Sequence, residues 1–193
     1  MTSDRRVLTI PNVLSIARLC SVPVFVWLFL SERANVGVIV FVIAAWTDFF
    51  DGLIARRTGS VTELGKVLDP LSDRIFIVAL TVMLLVRGTM PPALGAAIIV
   101  RDILILSVFP ALERRGIERI PVNRVGKAAT GTLFSGLAWL AYSESTFPLN
   151  EGVGDVGLAV AWLGVALYWV AAALYAREAS RRMRALNASR VLP

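Results

Sequence analysis

The sequence predicts an all-α, polytopic integral membrane protein with six transmembrane helices. Hydrophobic residues make up 56% of the 193 positions and charged residues 18%, with a mean hydropathy of +0.71, too apolar for a water-facing surface. The apolar residues fall in stretches of about 20, the length of helix that crosses a bilayer. The cations collect in alternate connections between those stretches.

The first stretch, 11–30, opens with Pro11 and Asn12 and has no small-residue cleavage site, so it reads as a retained span rather than a signal peptide. MTSDRRVLT before it suits a short interfacial segment. The second, 35–55, is rich in Val, Ile and Phe and ends among aspartates, and the short turn SERAN separates it from the first. The third, 66–86, begins polar and becomes predominantly apolar after Arg74. The turn RGTMPP leads to the fourth, 91–112, and the long basic connection ERRGIERIPVNRVGK leads to the fifth, 127–143. ESTFPLNEGVGD is polar and acidic, as an external loop would be, and precedes the sixth, 155–176. These spans leave no room for a soluble domain, so residues 1–193 are expected to form a single membrane domain. No internal repeat is evident.

Alternating the six spans puts Arg5, Arg6, Arg56, Arg57, Lys66, Arg114, Arg115, Arg119, Arg124, Lys127, Arg177, Arg181, Arg182, Arg184 and Arg190 on one side, with only Arg33 and Arg87 opposite. Cytoplasmic loops carry such an excess, so both termini and the 56–66 connection are expected in the cytoplasm. The expected location is a bacterial cell membrane. The formal charge of +6 is divided among short segments rather than gathered on one soluble face. That pattern suits anionic membrane lipids and argues against nucleic acid.

The chain has no His and a single Cys, Cys20. These counts remove the commonest general base, an intramolecular disulfide and a thiolate-rich zinc site. Oxygen ligands and hard cations remain. Four aspartates, Asp48, Asp51, Asp69 and Asp73, stand beside apolar runs where each buried charge is expensive. On helices, Asp48 and Asp51 share one face, and Asp69 and Asp73 share another. Four converging carboxylates would repel one another unless cations bridged them, and one or two divalent ions resolve the conflict. Mg²⁺ or Mn²⁺ suits all-oxygen ligation, and two ions about 3.5–4 Å apart would clamp both oxygens of a phosphoryl displacement. Gly52 and Gly65 let a bulky ligand approach the backbone, and Arg56 adds charge for a diphosphate. Pro70 would bend the third span. Taken singly, each aspartate would also serve as a helix cap or as a partner of Arg56, Arg57, Lys66 or Arg74.

DFFDGLIARRTGSVTELGKVLDPLSD fits D-x-x-D-G-x-x-A-R, eight residues, then G-x-x-x-D-x-x-x-D. It resembles the signature of the CDP-alcohol phosphatidyltransferase family. The resemblance implies a generally dimeric six-helix membrane enzyme that moves a phosphatidyl or related group from a CDP-linked donor to an alcohol, releasing CMP. Its active-site cavity should open to the cytoplasmic side. It further implies that Asp48, Asp51, Asp69 and Asp73 ligate metal, and that Asp73 is also the catalytic base for the acceptor hydroxyl. Asp48, Asp51, Gly52, Ala55, Arg56, Gly65 and Asp69 would line the CDP site. Within the family, TIPNVLSIARL at 9–19 is similar to the opening of phosphatidylglycerophosphate synthases and of cardiolipin synthases that use CDP-diacylglycerol. VRD at 100–102 and IPVNRVGKAAT at 120–130 lean toward the latter. The expected partners are therefore CDP-diacylglycerol, a glycerol-type acceptor and a second copy of the chain. Phosphatidylglycerol is the leading acceptor, with glycerol 3-phosphate and then inositol phosphate as alternatives.

Arg101 and Asp102 lie within the fourth span, where an ionisable residue is a functional candidate by default. Arg101, with Arg124 and Lys127 at the start of the fifth span, is the candidate acceptor pocket; a structural ion pair at 101–102 and ordinary positive-inside charge are the plainer alternatives. Ser72, without a histidine partner, reads as a packing residue rather than a nucleophile. A small cation transporter would also place carboxylates in a membrane, but the polar residues gather at one end instead of tracking through the midplane.

Overall fold

The computed structural model describes residues 10–44, 63–113, 124–148 and 152–191. All regular structure among the described residues is helical: α1 (Ile10–Leu30), α2 (Ala34–Ala44), α3 (Glu63–Arg87), α4 (Pro92–Glu113), α5 (Arg124–Ser143) and α6 (Val153–Val191). Each apolar stretch contains one of these helices, the second being described only to residue 44. α3 continues as helix through Pro70. α6 runs past the expected boundary at 176 to Val191. Its last turns are rich in Ala, Arg, Met and Leu, which favour helix, and neither Gly nor Pro interrupts them.

The chain divides into two compact units, Met1–Thr89 with Ala141–Glu151, and Met90–Leu140 with Gly152–Pro193. In the first, α1 packs on α3. α2 is crowded with Val and Ile, which by propensity alone favour strand. Tertiary packing overrides that preference: Ala34, Val38, Phe41 and Ala44 recur at helical spacing on a buried face, while Val36, Ile39, Val42 and Ile43 are exposed. Phe25 of α1, Phe41 of α2 and Phe76 of α3 meet with ring centroids 5.1–6.1 Å apart. Such contacts add to area burial through the aromatic quadrupoles.

α1 ends in a left-handed cap in which Arg33 N donates to Leu28 O, with Glu32 at φ 60°. α3 ends the same way, Thr89 N donating to Leu84 O, but there the left-handed residue is Gly88. Glu32 carries a Cβ penalty that Gly88 avoids. Glu32→Gly is therefore expected to raise stability by about 0.5–1 kcal/mol, read as a higher melting temperature in detergent.

A polar clasp joins the end of α3, the start of α2 and the turn after α5. Arg87 binds Glu144 through both Nε and Nη2 at 2.9 Å, and Thr89 Oγ1 donates to the other oxygen of the same carboxylate. Asn35 Nδ2 donates to Thr146 Oγ1, and Thr146 N returns a bond to Asn35 Oδ1, both at 2.8 Å.

In the second unit α4 packs on α6, and Trp169 Nε1 donates to Ala97 O. α5 and α6 approach so closely that glycine is required at the seam. A Cβ at Gly164 would lie 2.5 Å from Leu133 Cα, and one at Gly136 would collide with Ala161 N and lie 2.6 Å from its Cα. Small residues let helix backbones meet where lipid offers no hydrophobic drive for association. Gly136→Ala should force the helices apart and destabilise by about 1–3 kcal/mol; an unchanged melting temperature would mean that the seam opens freely.

Candidate active site

Asp48, Asp51, Gly52, Ala55 and Arg56 lie outside the described residues. The second half of the motif lies on α3, with Gly65, Asp69 and Asp73 in its first three turns. Residues four apart on a helix stand one above the other, so Asp69 and Asp73 occupy one face. Asp73 is exposed, whereas its neighbour Ser72 is only 2% exposed and packs inward. The motif end of α3 is its N-terminal end, where the aligned peptide dipoles favour an anion such as a diphosphate. Arg87, in the clasp, is about 21 Å farther along the axis at 1.5 Å per residue.

Among the described residues, no three His, Cys, Asp or Glu gather as a metal-binding group. Asp73 is the one motif aspartate whose side chain is described. Its chemistry, an exposed hard carboxylate one turn from a second, suits Mg²⁺ or Mn²⁺.

Arg101 and Asp102 are 7% and 4% exposed. Arg101 Nη1 binds Asp102 Oδ1 at 2.9 Å, and the guanidinium lies 3.6 Å from the centroid of the Tyr168 ring. The Tyr168 hydroxyl donates to the same carboxylate oxygen at 3.0 Å. A buried cation is thus neutralised by its sequence neighbour and covered by an aromatic face from α6. Sequence reading singled out the pair but missed Tyr168, although a phenol hydroxyl within an apolar run needs a partner and could have drawn notice. Lys127 is exposed near the start of α5, which Arg124 opens.

The family model for CDP-alcohol phosphatidyltransferases matches residues 8–175. This chain belongs to that family. The matched segment encloses the whole aspartate motif, so the resemblance carried by residues 48–73 is borne out. Among members of the transferase family, the CMP-forming cardiolipin synthase of Streptomyces coelicolor is 36% identical over 147 residues, covering 73% of this chain and 68% of its own. The CDP-diacylglycerol–glycerol-3-phosphate 3-phosphatidyltransferase of Rickettsia typhi is 36% identical over 126 residues, covering 63% and 69%. A Mycobacterium tuberculosis protein provisionally named as a cardiolipin synthase is 40% identical over 129 residues, 66% of this chain. The matched region spans 62% of that mycobacterial relative's length.

Proposed function

We propose that this chain transfers a phosphatidyl group from CDP-diacylglycerol to a glycerol-type acceptor, releasing CMP, with phosphatidylglycerol as the leading acceptor and glycerol 3-phosphate as the alternative. The observation that carries this reading is the family match enclosing an intact motif whose Asp69 and Asp73 stand one turn apart on α3. The transporter alternative draws no support from that match.

Asp73 takes the proton of the acceptor hydroxyl, and the freed oxygen attacks the phosphorus that bears the diacylglycerol. The bond from that phosphorus to the bridging oxygen breaks, and CMP departs with the bond's electrons. Asp48, Asp51, Asp69 and Asp73 would hold Mg²⁺ or Mn²⁺, which supplies charge neutralisation for the diphosphate and the departing CMP. Arg56 adds a guanidinium to the same anion, while Gly52, Ala55 and Gly65 leave it room. Arg124 and Lys127 are the cations proposed for the acceptor's phosphate. The buried pairing of Arg101 favours a packing role for that residue.

Six spans with a cavity on the cytoplasmic side, both termini in the cytoplasm, one membrane domain and a homodimer complete the proposal. Several observations support the membrane part. Among the described residues, Val153–Arg184 is long and apolar enough to cross a bilayer, and Leu19–Leu30 and Ala34–Ala44 are shorter apolar helices. Val24, Trp27, Ile43, Val86, Ile103, Leu106 and Leu163 are among many large apolar side chains left exposed, as lipid contact requires. The clasp ties the start of α2 and the turn after α5 to the end of α3, as alternating spans demand, and Arg87 is the cation in it.

The test is CMP release by purified protein in detergent with CDP-diacylglycerol and Mg²⁺ or Mn²⁺, supplying phosphatidylglycerol, glycerol 3-phosphate and inositol phosphate separately. CMP that depends on phosphatidylglycerol is expected. Release with glycerol 3-phosphate alone would reassign the acceptor, and none with any of the three from folded protein would overturn the reading.

A further inference from the structure

The length of α6 has a physical consequence at its far end. Val153–Val191 is about 58 Å long at 1.5 Å per residue, against a hydrocarbon core of roughly 30 Å. The apolar part ends at Ala176, and residues 177–191 continue for about another 22 Å. Arg177, Arg181 and Arg184 fall at i, i+4 and i+7, within an arc of about 60°, and all three are exposed. None has an ion-pair partner among the described residues. The flanking Arg182 is engaged by Glu178 at 3.0 Å. On the opposite side Ala179 is 3% exposed. Protein therefore covers the helix at Ala179, on the side away from the arginine stripe.

We infer that this stripe binds the anionic headgroups of phospholipids in the leaflet from which α6 emerges. The inference rests on the membrane-spanning part of the proposed function. Arg177 follows the last apolar turn and so stands at headgroup depth, while Arg181 and Arg184 rise about 6 and 10 Å beyond it. Guanidinium forks suit phosphodiester oxygens. Each basic residue near an anionic surface strengthens attachment on the order of fivefold, and three together on the order of a hundredfold. The proposed reaction forms an anionic lipid, so its product belongs to the class the stripe would retain.

The test is hydrogen–deuterium exchange of the full chain in nanodiscs of phosphatidylcholine, with and without phosphatidylserine, which is anionic but lies outside the acceptors considered above. Exchange over residues 177–191 should slow by about tenfold when phosphatidylserine is present, and high salt should remove the effect. R177Q/R181Q/R184Q should exchange at the phosphatidylcholine rate in both discs, with residues 153–175 unchanged. R181Q/R184Q, which keeps the boundary arginine, should retain part of the slowing and serves if the triple variant misfolds. No lipid dependence in the native chain, equal slowing in both variants, or slowing by inorganic phosphate in neutral discs would overturn the inference. No CDP-linked donor is present, so a negative result leaves the transferase reading standing; a chain that fails to enter discs at all would refute the membrane reading instead.

Discussion

Asp73→Asn is expected to reduce acceptor-dependent CMP release by about a thousandfold, within the range attributed to a positioned general base. Asn keeps the size and the hydrogen-bonding oxygen but accepts no proton at neutral pH and weakens any cation held by the cluster. Asp73 is exposed on α3 beside the inward-packed Ser72, so the change should leave folding intact. The melting temperature in detergent and the elution profile should match those of the native chain while turnover is lost. A fully active variant would remove Asp73 from the chemistry. A variant that fails to fold, with normal turnover in its soluble fraction, would assign the residue to assembly instead.

Arg101→Met should produce the second large effect, on stability. The substitution removes the buried partner of Asp102 and the cation over Tyr168 together. Breaking a buried pair on one side costs about 3–5 kcal/mol, because the remaining charge keeps its desolvation penalty. Removing both charges with Arg101→Met and Asp102→Leu should recover much of the loss. Tyr168→Phe, which deletes only the donated hydrogen bond, should cost about 1–3 kcal/mol. Thermal unfolding in detergent distinguishes these variants. If Arg101 instead holds the acceptor's phosphate, Arg101→Met would raise the acceptor KM in a protein of native stability, and the double variant would restore nothing.

The legible parts of the chain are those whose physics is local. Asp69 and Asp73 could be assigned to one helix face from spacing alone, since four residues make one turn. The apolar stretches predicted helices, and the ends of α1, α3, α4 and α5 fall within a few residues of those expected, because the length of an apolar run marks a span. That signal stops where apolarity stops, so the continuation of α6 from 176 to Val191, set by propensity and back-side packing at Ala179, was not visible in it. Partners distant in sequence left no signature either. Glu144 is 57 residues from Arg87, and within ESTFPLNEGVGD it resembles any loop acid. Tyr168 in its apolar run looked like any packing aromatic until Asp102 and Arg101 were found against it. The seam glycines, Gly136 and Gly164, were likewise unremarked as isolated small residues.

The reciprocal bonds between Asn35 and Thr146 span 111 residues of chain, and this separation sets a timetable for biogenesis. At roughly 5–20 residues per second, about 5–20 s of translation separates the two partners. α3 ends at Arg87, so for about the last 3–12 s of that interval α1, α2 and α3 must hold their arrangement with the clasp open, and the contact of Phe25, Phe41 and Phe76 is already complete once α3 has been made. The aromatic trio therefore serves the nascent chain before the clasp can form, and Glu144 and Thr146 act as a late fastening that waits for the fifth helix to arrive.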